Sequence, residues 1–334
     1  MRIAIVKLSA LGDIINAMVV LQYIKKFDKN ITIDWIVESN YKGLLEFHPD
    51  VNKVHEVRLK NAKKKKSLYL FLKELSKLRQ LKKYDLVFDL QGLVKSAIVS
   101  KIIPSKKTLG FDRYSIREPV ASFFYNQVFT LDYSTNVILR NILLCNSELK
   151  LNFNRDLIIH KQPFLFSQNS YIFEEISRVV KNILIVPGAS FESKIYPKEK
   201  YAAVINQLDA NFIVIWGNEN EKSIAYDIRK MCPKVVIAEK LSLDSLISLV
   251  SKVDLLIGGD TGPSHMAWAL NIPSIILFGP TPGFRNTFTT DINKIFESDS
   301  EVIPTKINKN DFSIKNIEAS EIVKMAKYLL IKNK

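Results

Sequence analysis

The chain has 334 residues, of which 47% are hydrophobic and 25% charged, a composition typical of a folded globular protein with room for two domains. Its two cysteines, Cys145 and Cys232, lie far apart, which argues against a disulfide framework and against a cysteine-based metal site. The apolar run at 1–6 is too short and too soon interrupted to be a secretory signal or a membrane span. We therefore expect a cytoplasmic protein.

The formal net charge of +14 is concentrated in the first half of the chain. The first 161 residues carry 28 Lys and Arg against 15 Asp and Glu, whereas the remaining 173 carry 20 against 19. Such a one-sided field attracts polyanions, whether nucleic acid, an anionic membrane surface or an acidic substrate. The alternative is that the lysines only keep the protein soluble.

The first half alternates short apolar runs with segments of helical spacing. The pattern predicts strands at 2–8, 31–37 and 85–90 and helices at 14–26 and 93–103. A dense basic run at 60–66 precedes another helix, and a polar loop with Arg113 and Arg117 leads into an aromatic helix within 110–125. Alternating strands and helices with short connections indicate a parallel sheet covered on both faces.

The same alternation restarts after about residue 160. Strands are predicted at 182–186, 212–216, 254–257 and 274–278, and helices at 198–208, 243–251, from about Ser264, and at 319–331. We therefore predict two similar α/β domains, 1–160 and 161–334, joined within the polar segment 152–170. The last helix is free to pack back on the N-terminal domain.

The first candidate site is the segment Lys-Leu-Ser-Ala-Leu-Gly-Asp at 7–13, which follows the first strand. Ligands bind beyond the carboxyl ends of strands in doubly wound sheets. Gly12 is the one glycine in this segment, so the dinucleotide fingerprint G-x-G-x-x-G is absent. Asp13 stands at a helix start, where it either favours the helix dipole or acts in catalysis, and the residues alone leave both interpretations open.

The second candidate site is the run Gly-Gly-Asp-Thr-Gly-Pro-Ser-His at 258–265, between a strand and a helix. N–H groups at a glycine-rich helix start bind phosphate. Asp260 can accept hydrogen bonds from sugar hydroxyls, and Thr261 can donate one to a phosphate oxygen. The alternative is a tight turn in which Ser264 is an ordinary N-cap.

Two further strand ends carry weaker signals. Lys194 follows a short hydroxyl-bearing loop and suits a diphosphate as a point charge, and Glu219 follows a strand where an acid can meet a ribose. We find no Asp-x-Asp, no zinc spacing of Cys and His, no Walker A sequence and no G-x-S-x-G. We therefore expect neither a metal nor a cofactor, and the charge of a diphosphate would be met by Lys194 and backbone amides.

Together these motifs resemble the ADP-heptose:lipopolysaccharide heptosyltransferases, most closely heptosyltransferase I. The matching stretches are MRIAIVKLSALGDIINA, DLVFDLQGLVKSA, GFDRYSIREPVASFFY, KIYPKEKY, GGDTGPSHMAWAL and FGPTPGF. The resemblance implies the GT-B architecture, an α/β fold of two Rossmann-like doubly wound domains that face each other across a cleft. The N-terminal domain would bind the acceptor, and the C-terminal domain the nucleotide-sugar.

The resemblance also implies roles for residues. Asp13 matches the family's catalytic base. Donor-binding roles fall to Ser190, Lys194, Glu219, Asp260, Thr261, Gly262 and His265, and acceptor-binding roles to Lys7, Ser9, Lys60, Lys63, Lys64, Arg113 and Arg117. Two stretches depart from the family pattern. Ala189 removes the first hydroxyl of a Thr-Thr pair, and 134–140 replaces an expected His-Ala-Val-x-Arg stretch.

The implied reaction is the inverting transfer of heptose from ADP-heptose to a Kdo residue of Kdo-lipid A. The enzyme would then work in the cytoplasm at the inner face of the inner membrane, with its basic first half against the anionic leaflet. A heptosyltransferase II-type enzyme acting on an existing core heptose is the near alternative. A nucleotide-sugar epimerase of the same architecture, and a nucleic-acid-binding protein using 60–66, are the others, and we expect no nucleic acid partner.

Overall fold

A computed structural model of the protein describes residues 1–168 and 171–332. The chain divides into two compact units, Met1–Phe164 and Leu165–Lys334, and this division falls inside the polar segment 152–170. Each unit contains one six-stranded sheet whose neighbouring strands all run parallel. Among the residues described, no helix combines the length and the apolar character needed to cross a membrane.

The first unit is built from short apolar strands and connecting helices. Its strands are β1 (Arg2–Val6), β2 (Thr32–Glu38), β3 (Lys53–Val57), β4 (Tyr84–Asp89), β5 (Ser105–Phe111) and β6 (Gln127–Phe129). Its helices are α1 (Leu11–Met18), α2 (Val20–Phe27), α3 (Leu59–Lys64), α4 (Leu68–Arg79), α5 (Val94–Ile102), α6 (Val137–Leu149) and α7 (Asp156–Ile159), with 3-10 turns at Ser39–Leu44 and Pro119–Phe124.

The second unit repeats this plan. Its strands are β7 (Asn182–Val186), β8 (Asn211–Val214), β9 (Val235–Ile237), β10 (Leu255–Gly259), β11 (Ser274–Phe278) and β12 (Asn293–Glu297). Its helices are α8 (Lys198–Asn206), α9 (Glu219–Met231), α10 (Leu243–Val250), α11 (Gly262–Ala269), α12 (Gly283–Asn286) and α13 (Ala319–Lys332), with 3-10 turns at Glu192–Lys194 and Ser313–Asn316.

The two sheets share one topology. The first has the order β3-β2-β1-β4-β5-β6, and the second has β12-β11-β10-β7-β8-β9. When the strands of the second sheet are numbered from β7 and read from the β9 edge, the two orders are the same. This is the doubly wound arrangement of nucleotide-binding folds, in which the strand order reverses direction at one switch point. The switch points lie between β1 and β4 and between β7 and β10. The predicted α/β fold with two Rossmann-like sheets is confirmed.

Several predicted elements differ in detail from the observed ones. The single helix predicted at 14–26 is two helices, α1 and α2, that meet at Val19. The basic run at 60–66 lies largely in the short helix α3, and the aromatic helix is the 3-10 turn Pro119–Phe124. Strands β3, β5, β6, β9 and β12 were not predicted. In β3, an edge strand, Val57 alone of five residues is buried, so its sequence has no apolar run.

Each unit has its own apolar core. In the second unit the core includes four side chains of α13, namely Ile322, Val323, Ala326 and Leu329. These side chains pack with strands β7, β8, β10 and β11 of that unit. The last helix therefore packs on the core of the second unit.

Candidate active site

Asp13 and most of the predicted donor-binding residues lie beyond the strands that flank the two switch points. The other candidates follow different strands: Lys60, Lys63 and Lys64 follow β3, Arg113 and Arg117 follow β5, and Glu219 follows β8. In the first unit the switch-point positions follow β1 and β4, and in the second they follow β7 and β10. Ligands bind doubly wound sheets here because the connections leave toward opposite faces and open a crevice at the carboxyl ends of the strands. Asp13 and Lys194 thus follow equivalent strands of the two units, and Asp260 follows the strand next to that of Lys194.

Asp13 lies exposed in the first turn of α1. Its Oδ2 accepts a hydrogen bond from the backbone N–H of Ala10 at 3.2 Å. This contact satisfies one N–H at the helix start, as expected of an N-terminal acid. It occupies one of several lone pairs, so the carboxylate can still accept a proton from a bound hydroxyl.

Gln91, which our sequence analysis did not single out, fixes the loop before Asp13. Its Oε1 accepts the backbone N–H groups of Leu8 at 2.7 Å and of Ser9 at 3.2 Å. Its Nε2 donates to Ser9 Oγ at 3.3 Å. The loop after β1 is therefore tied to the loop after β4, and Gln91 orients Ser9. Two signals were available: Gln91 directly follows a predicted strand, and it belongs to the matching stretch DLVFDLQGLVKSA.

Lys7, one of the residues expected to bind the acceptor, lies at the end of β1. Its side chain is buried, and Nζ donates to the carbonyl of Leu90 at 2.8 Å. The ammonium thus links the ends of β1 and β4. Lys7 thus helps to hold the two strand ends together.

The lysines of α3 are held at the sheet edge by a buried carboxylate. Lys60, Lys63 and Lys64 are all exposed. Glu38, at the end of β2, is 2% exposed and accepts the backbone N–H of Lys60 at 3.0 Å and the ammonium of Lys95 at 3.2 Å. Glu38 therefore anchors both the start of the basic helix and a lysine that the sequence analysis missed.

The loop after β5 presents Arg113 and Arg117, both of which are exposed. The buried side chain of Arg140, in α6, holds this loop in place. The Arg140 guanidinium donates to the carbonyls of Ser115 at 2.5 Å and Asp132 at 2.7 Å. The segment 134–140, where the chain departs from the family pattern, thus still supplies an arginine that positions the basic loop.

The glycine and tyrosine of the GFDRYSIREPVASFFY stretch have a packing role. Tyr125 donates its hydroxyl to the buried Asp89 at 2.8 Å, and Asp89 also accepts the N–H groups of Gln91 at 2.8 Å and Gly92 at 3.1 Å. Burial raises the pKa of Asp89 despite these bonds. A Cβ at Gly110 would lie 2.3 Å from the Tyr125 ring, so the glycine makes room for it.

In the second unit Asp260 is the centre of a buried polar cluster. Its Oδ2 accepts hydrogen bonds from Lys194 Nζ at 2.8 Å, Thr281 Oγ1 at 2.9 Å and Asn286 Nδ2 at 3.2 Å. Its Oδ1 lies 3.1 Å from His265 Nε2. Thr281 and Asn286 were missed as site residues, although Thr281 belongs to the FGPTPGF stretch. The cluster joins the ends of β7, β10 and β11.

The charge state of this cluster follows from its contacts. Burial alone would raise the pKa of Asp260, but the Lys194 ammonium and the hydrogen bonds from His265 and Lys194 hold it far below its usual range. The ionised carboxylate favours the tautomer in which His265 Nε2 carries the proton. His265 Nδ1 is buried and has no hydrogen-bond partner in the described part of the chain.

The glycines of the 258–265 run have two separate functions. Gly258 and Gly259 belong to β10, and a Cβ at Gly258 would lie 2.7 Å from the Val186 Cβ of the neighbouring strand. They are packing glycines, so our assignment of the whole run to a phosphate loop was too broad. Gly262 alone opens α11. Ser264 Oγ donates to the Gly259 carbonyl at 2.6 Å, so Ser264 is not the N-cap.

Thr261 occupies the N-cap position of α11, and its side chain makes no capping hydrogen bond. The first N–H groups of a helix have no carbonyl partner within it, and the helix dipole adds positive potential there. The hydroxyl of Thr261 and the N–H of Gly262 therefore lie where an anion would bind, beside the Lys194–Asp260 pair.

Ser190 and Glu219 are exposed at the ends of the next loops. Asn218 caps α9 by accepting the N–H of Glu221 at 3.0 Å, and Glu221 accepts the N–H of Gly217 at 2.7 Å. Glu221 thus carries the structural contacts of this turn, which leaves the Glu219 carboxylate at the surface. Within residues 1–168 and 171–332, no group of three or more His, Cys, Asp and Glu side chains is placed to hold a metal ion.

Comparison with known proteins identifies consistent relatives. The model of glycosyltransferase family 9 (heptosyltransferase) matches residues 73–312. Lipopolysaccharide heptosyltransferase 1 of Campylobacter coli is 41% identical over 344 aligned positions, which cover 98% of this chain and 99% of the relative. The E. coli heptosyltransferase WaaC with ADP superposes with a TM-score of 0.80 at 22% identity, covering 98% and 100% of the two chains. The same enzyme with ADP-2-deoxy-2-fluoro heptose has a TM-score of 0.78 at 22% identity, covering 98% and 99%.

Proposed function

Because the chain belongs to glycosyltransferase family 9, the heptosyltransferases, we propose that it moves a heptose from ADP-heptose to a Kdo residue of Kdo-lipid A during synthesis of the lipopolysaccharide inner core. The observation that carries the proposal is the buried Lys194–Asp260 pair beside the start of α11. A cation, a helix N-terminus and the Thr261 hydroxyl together form a site for a diphosphate. A relative of the same fold is known with ADP bound.

The donor would lie across the switch point of the second unit. The diphosphate would contact Thr261, Gly262 and Lys194, and His265 would help to hold the heptose. Glu219 would bind the nucleoside from the exposed start of α9. Ser190 would supply the one hydroxyl that remains where relatives carry two. Lys194 acts here as half of an ion pair, so the helix start must meet much of the diphosphate charge.

The reaction requires one base and one stabilised leaving group. Asp13 would take the proton of the acceptor hydroxyl while that oxygen forms a bond to the anomeric carbon of the heptose. The bond from this carbon to the diphosphate breaks at the same time through an oxocarbenium-like transition state, and ADP leaves with the electron pair. The configuration at the anomeric carbon inverts, because attack and departure occur on opposite faces.

The acceptor would bind to the basic first unit. Kdo carries a carboxylate and lipid A carries phosphates, and both groups are complementary to Lys60, Lys63, Lys64, Arg113 and Arg117. Since lipid A is embedded in a membrane, we place the protein at the cytoplasmic face of the inner membrane. Its net charge of +14 favours such an anionic surface.

The test is to incubate the protein with ADP-heptose and Kdo-lipid A and to measure ADP release together with the mass of the lipid. We expect ADP and a lipid heavier by one heptose. Turnover without any acceptor would identify an epimerase, and turnover only on an acceptor that already carries heptose would identify a heptosyltransferase II-type enzyme. Salt-sensitive binding to RNA or DNA with no turnover would support the nucleic-acid alternative instead.

A further inference from the structure

The first turn of α4 exposes large apolar side chains that contribute nothing to the core. Leu68, Tyr69 and Leu72 are 70%, 71% and 53% exposed. The buried residues of this helix, Glu74, Leu75 and Leu78, all lie in its second half. We call these three exposed side chains the α4 patch. They remain in contact with water in the folded protein, so their apolar surface contributes no hydrophobic stabilisation to folding.

Exposed lysines directly precede the α4 patch. Lys63, Lys64, Lys65 and Lys66 are all exposed. The turn between α3 and α4 is tight, because the N–H of Ser67 donates to the Ala62 carbonyl at 3.0 Å and Lys66 has the left-handed φ of 49°. The lysines and the α4 patch consequently lie at one end of the α3–α4 pair, with cationic groups beside apolar ones.

A second group of the same composition lies along the same unit. Tyr114, Val120 and Phe123 are 74%, 57% and 76% exposed, and they are close in sequence to the exposed Arg113 and Arg117. Val120 and Phe123 lie on the 3-10 turn Pro119–Phe124, which packs beside α5, and α5 packs beside α4. Helix α5 thus lies between the elements that carry the two groups.

We propose that the α4 patch inserts into the interfacial layer of an anionic lipid bilayer while Lys63–Lys66 bind its head groups. The proposal rests on the proposed function, whose acceptor is a membrane lipid, and it specifies the contact. Apolar and aromatic side chains next to lysines are the composition of helices that lie in a membrane interface. Leucines would add nothing to binding a nucleic-acid backbone, which is recognised through its phosphates.

The test measures partition of the full chain onto vesicles of phosphatidylethanolamine with 30% phosphatidylglycerol. The variant carries Leu68→Ser, Tyr69→Ser and Leu72→Ser, and we expect it to partition at least tenfold more weakly than the wild type. The matched control carries Ile172→Ser, Val179→Ser and Tyr226→Ser. These side chains are 90%, 93% and 48% exposed in the second unit, so the control also removes three exposed apolar side chains, and it should leave partition unchanged.

Insertion depth supplies an independent readout. Tyr69→Trp should be quenched by brominated lipids. Of the three native tryptophans, Trp35 and Trp268 are buried and should not respond, and the wild-type chain supplies the background from Trp216, which is partly exposed in the second unit. At high salt the lysine contribution should fall, but the difference between the α4 variant and its control should persist, because apolar insertion is not screened.

Equal partition of the α4 variant and its control, or an unquenched Trp at position 69, would overturn the proposal. Preferential retention on RNA or on an acidic protein over vesicles would overturn it too. Partition does not require turnover, so the result is independent of the transfer assay. If the protein transfers heptose to Kdo-lipid A but does not bind vesicles, the proposed function stands and only this inference is wrong.

Discussion

Replacing Lys194 by methionine tests the polar cluster of the second unit directly. The wild-type ammonium lies 2.8 Å from Asp260, and the side chains of both residues are less than 10% exposed. Methionine keeps most of the side-chain volume, so the substitution removes the charge without opening a large cavity. It leaves Asp260 with hydrogen bonds from Thr281, Asn286 and His265 but without its ammonium partner.

The expected loss of stability follows from this geometry. Removing one partner of a buried ion pair costs about 3–5 kcal/mol, and we expect about 3 kcal/mol because three of the four hydrogen bonds to Asp260 remain. The matched control is Lys198→Met. Lys198 lies 2.6 Å from Asp227, and their side chains are 40% and 31% exposed, so its loss should cost less than about 1 kcal/mol.

The effect should also depend on pH in a defined direction. Since the folded protein holds the pKa of Asp260 below its usual range, the carboxylate stabilises the wild type fully above about pH 4, the pKa of an unfolded aspartate. That stabilisation is lost as the pH falls below 4. The difference in stability between wild type and Lys194→Met should therefore be full at pH 7 and shrink in acid.

Urea unfolding of both variants and calorimetric titration with ADP measure these quantities. ADP affinity should fall by about 1–3 kcal/mol in Lys194→Met, the usual contribution of a hydrogen bond to a charged group, and should not change in the control. The double variant Lys194→Met, Asp260→Asn should lose less stability than the sum of its single variants. If Lys194→Met were as stable as Lys198→Met and bound ADP like the wild type, both claims would be wrong: the ion pair would not stabilise the fold, and the cluster would not bind the donor.

Four further predictions concern the rest of the molecule. Asp13→Asn should lower turnover about 10²–10⁴-fold with little change in ADP affinity or melting temperature, and near-normal turnover would end its assignment as the base. Glu38→Gln should raise the acceptor KM more than it lowers kcat, because Glu38 anchors Lys60 and Lys95; a change in ADP affinity instead would contradict this. Burial lowers the pKa of His48 to about 4, so the folded protein favours the neutral imidazole. The free energy of unfolding, measured with urea, should therefore decrease as the pH falls from 6.5 to 4, and His48→Asn should remove this contribution to the pH dependence. Turnover should survive EDTA, and a loss that magnesium restores would show that a metal takes part.

The local pattern of the sequence was enough to predict the fold. Strands such as β7 and β11 are continuous apolar runs because parallel strands are buried on both faces, and their bounds match the prediction at 182–186 and 274–278. The repeat of the alternation indicated two similar sheets. Asp13 and Lys194 could be singled out because charged side chains next to strand ends are visible in the sequence itself. Edge strand β3 could not be found this way, since it buries too little to need an apolar pattern.

Which side chains meet was decided by the tertiary structure. Thr281 and Asn286 reach Asp260 from 21 and 26 residues away, and Gln91 reaches Ser9 from 82 residues away. Such pairs form because the strand order places distant segments side by side. The spacing of residues within one segment does not indicate which other segment will lie next to it in the sheet. For the same reason the sequence does not show that Lys7 and Lys60, both expected to bind the acceptor, differ in burial. The packing of β4 beside β1 buries Lys7 on the carbonyl of Leu90, while Lys60 at the sheet edge stays exposed.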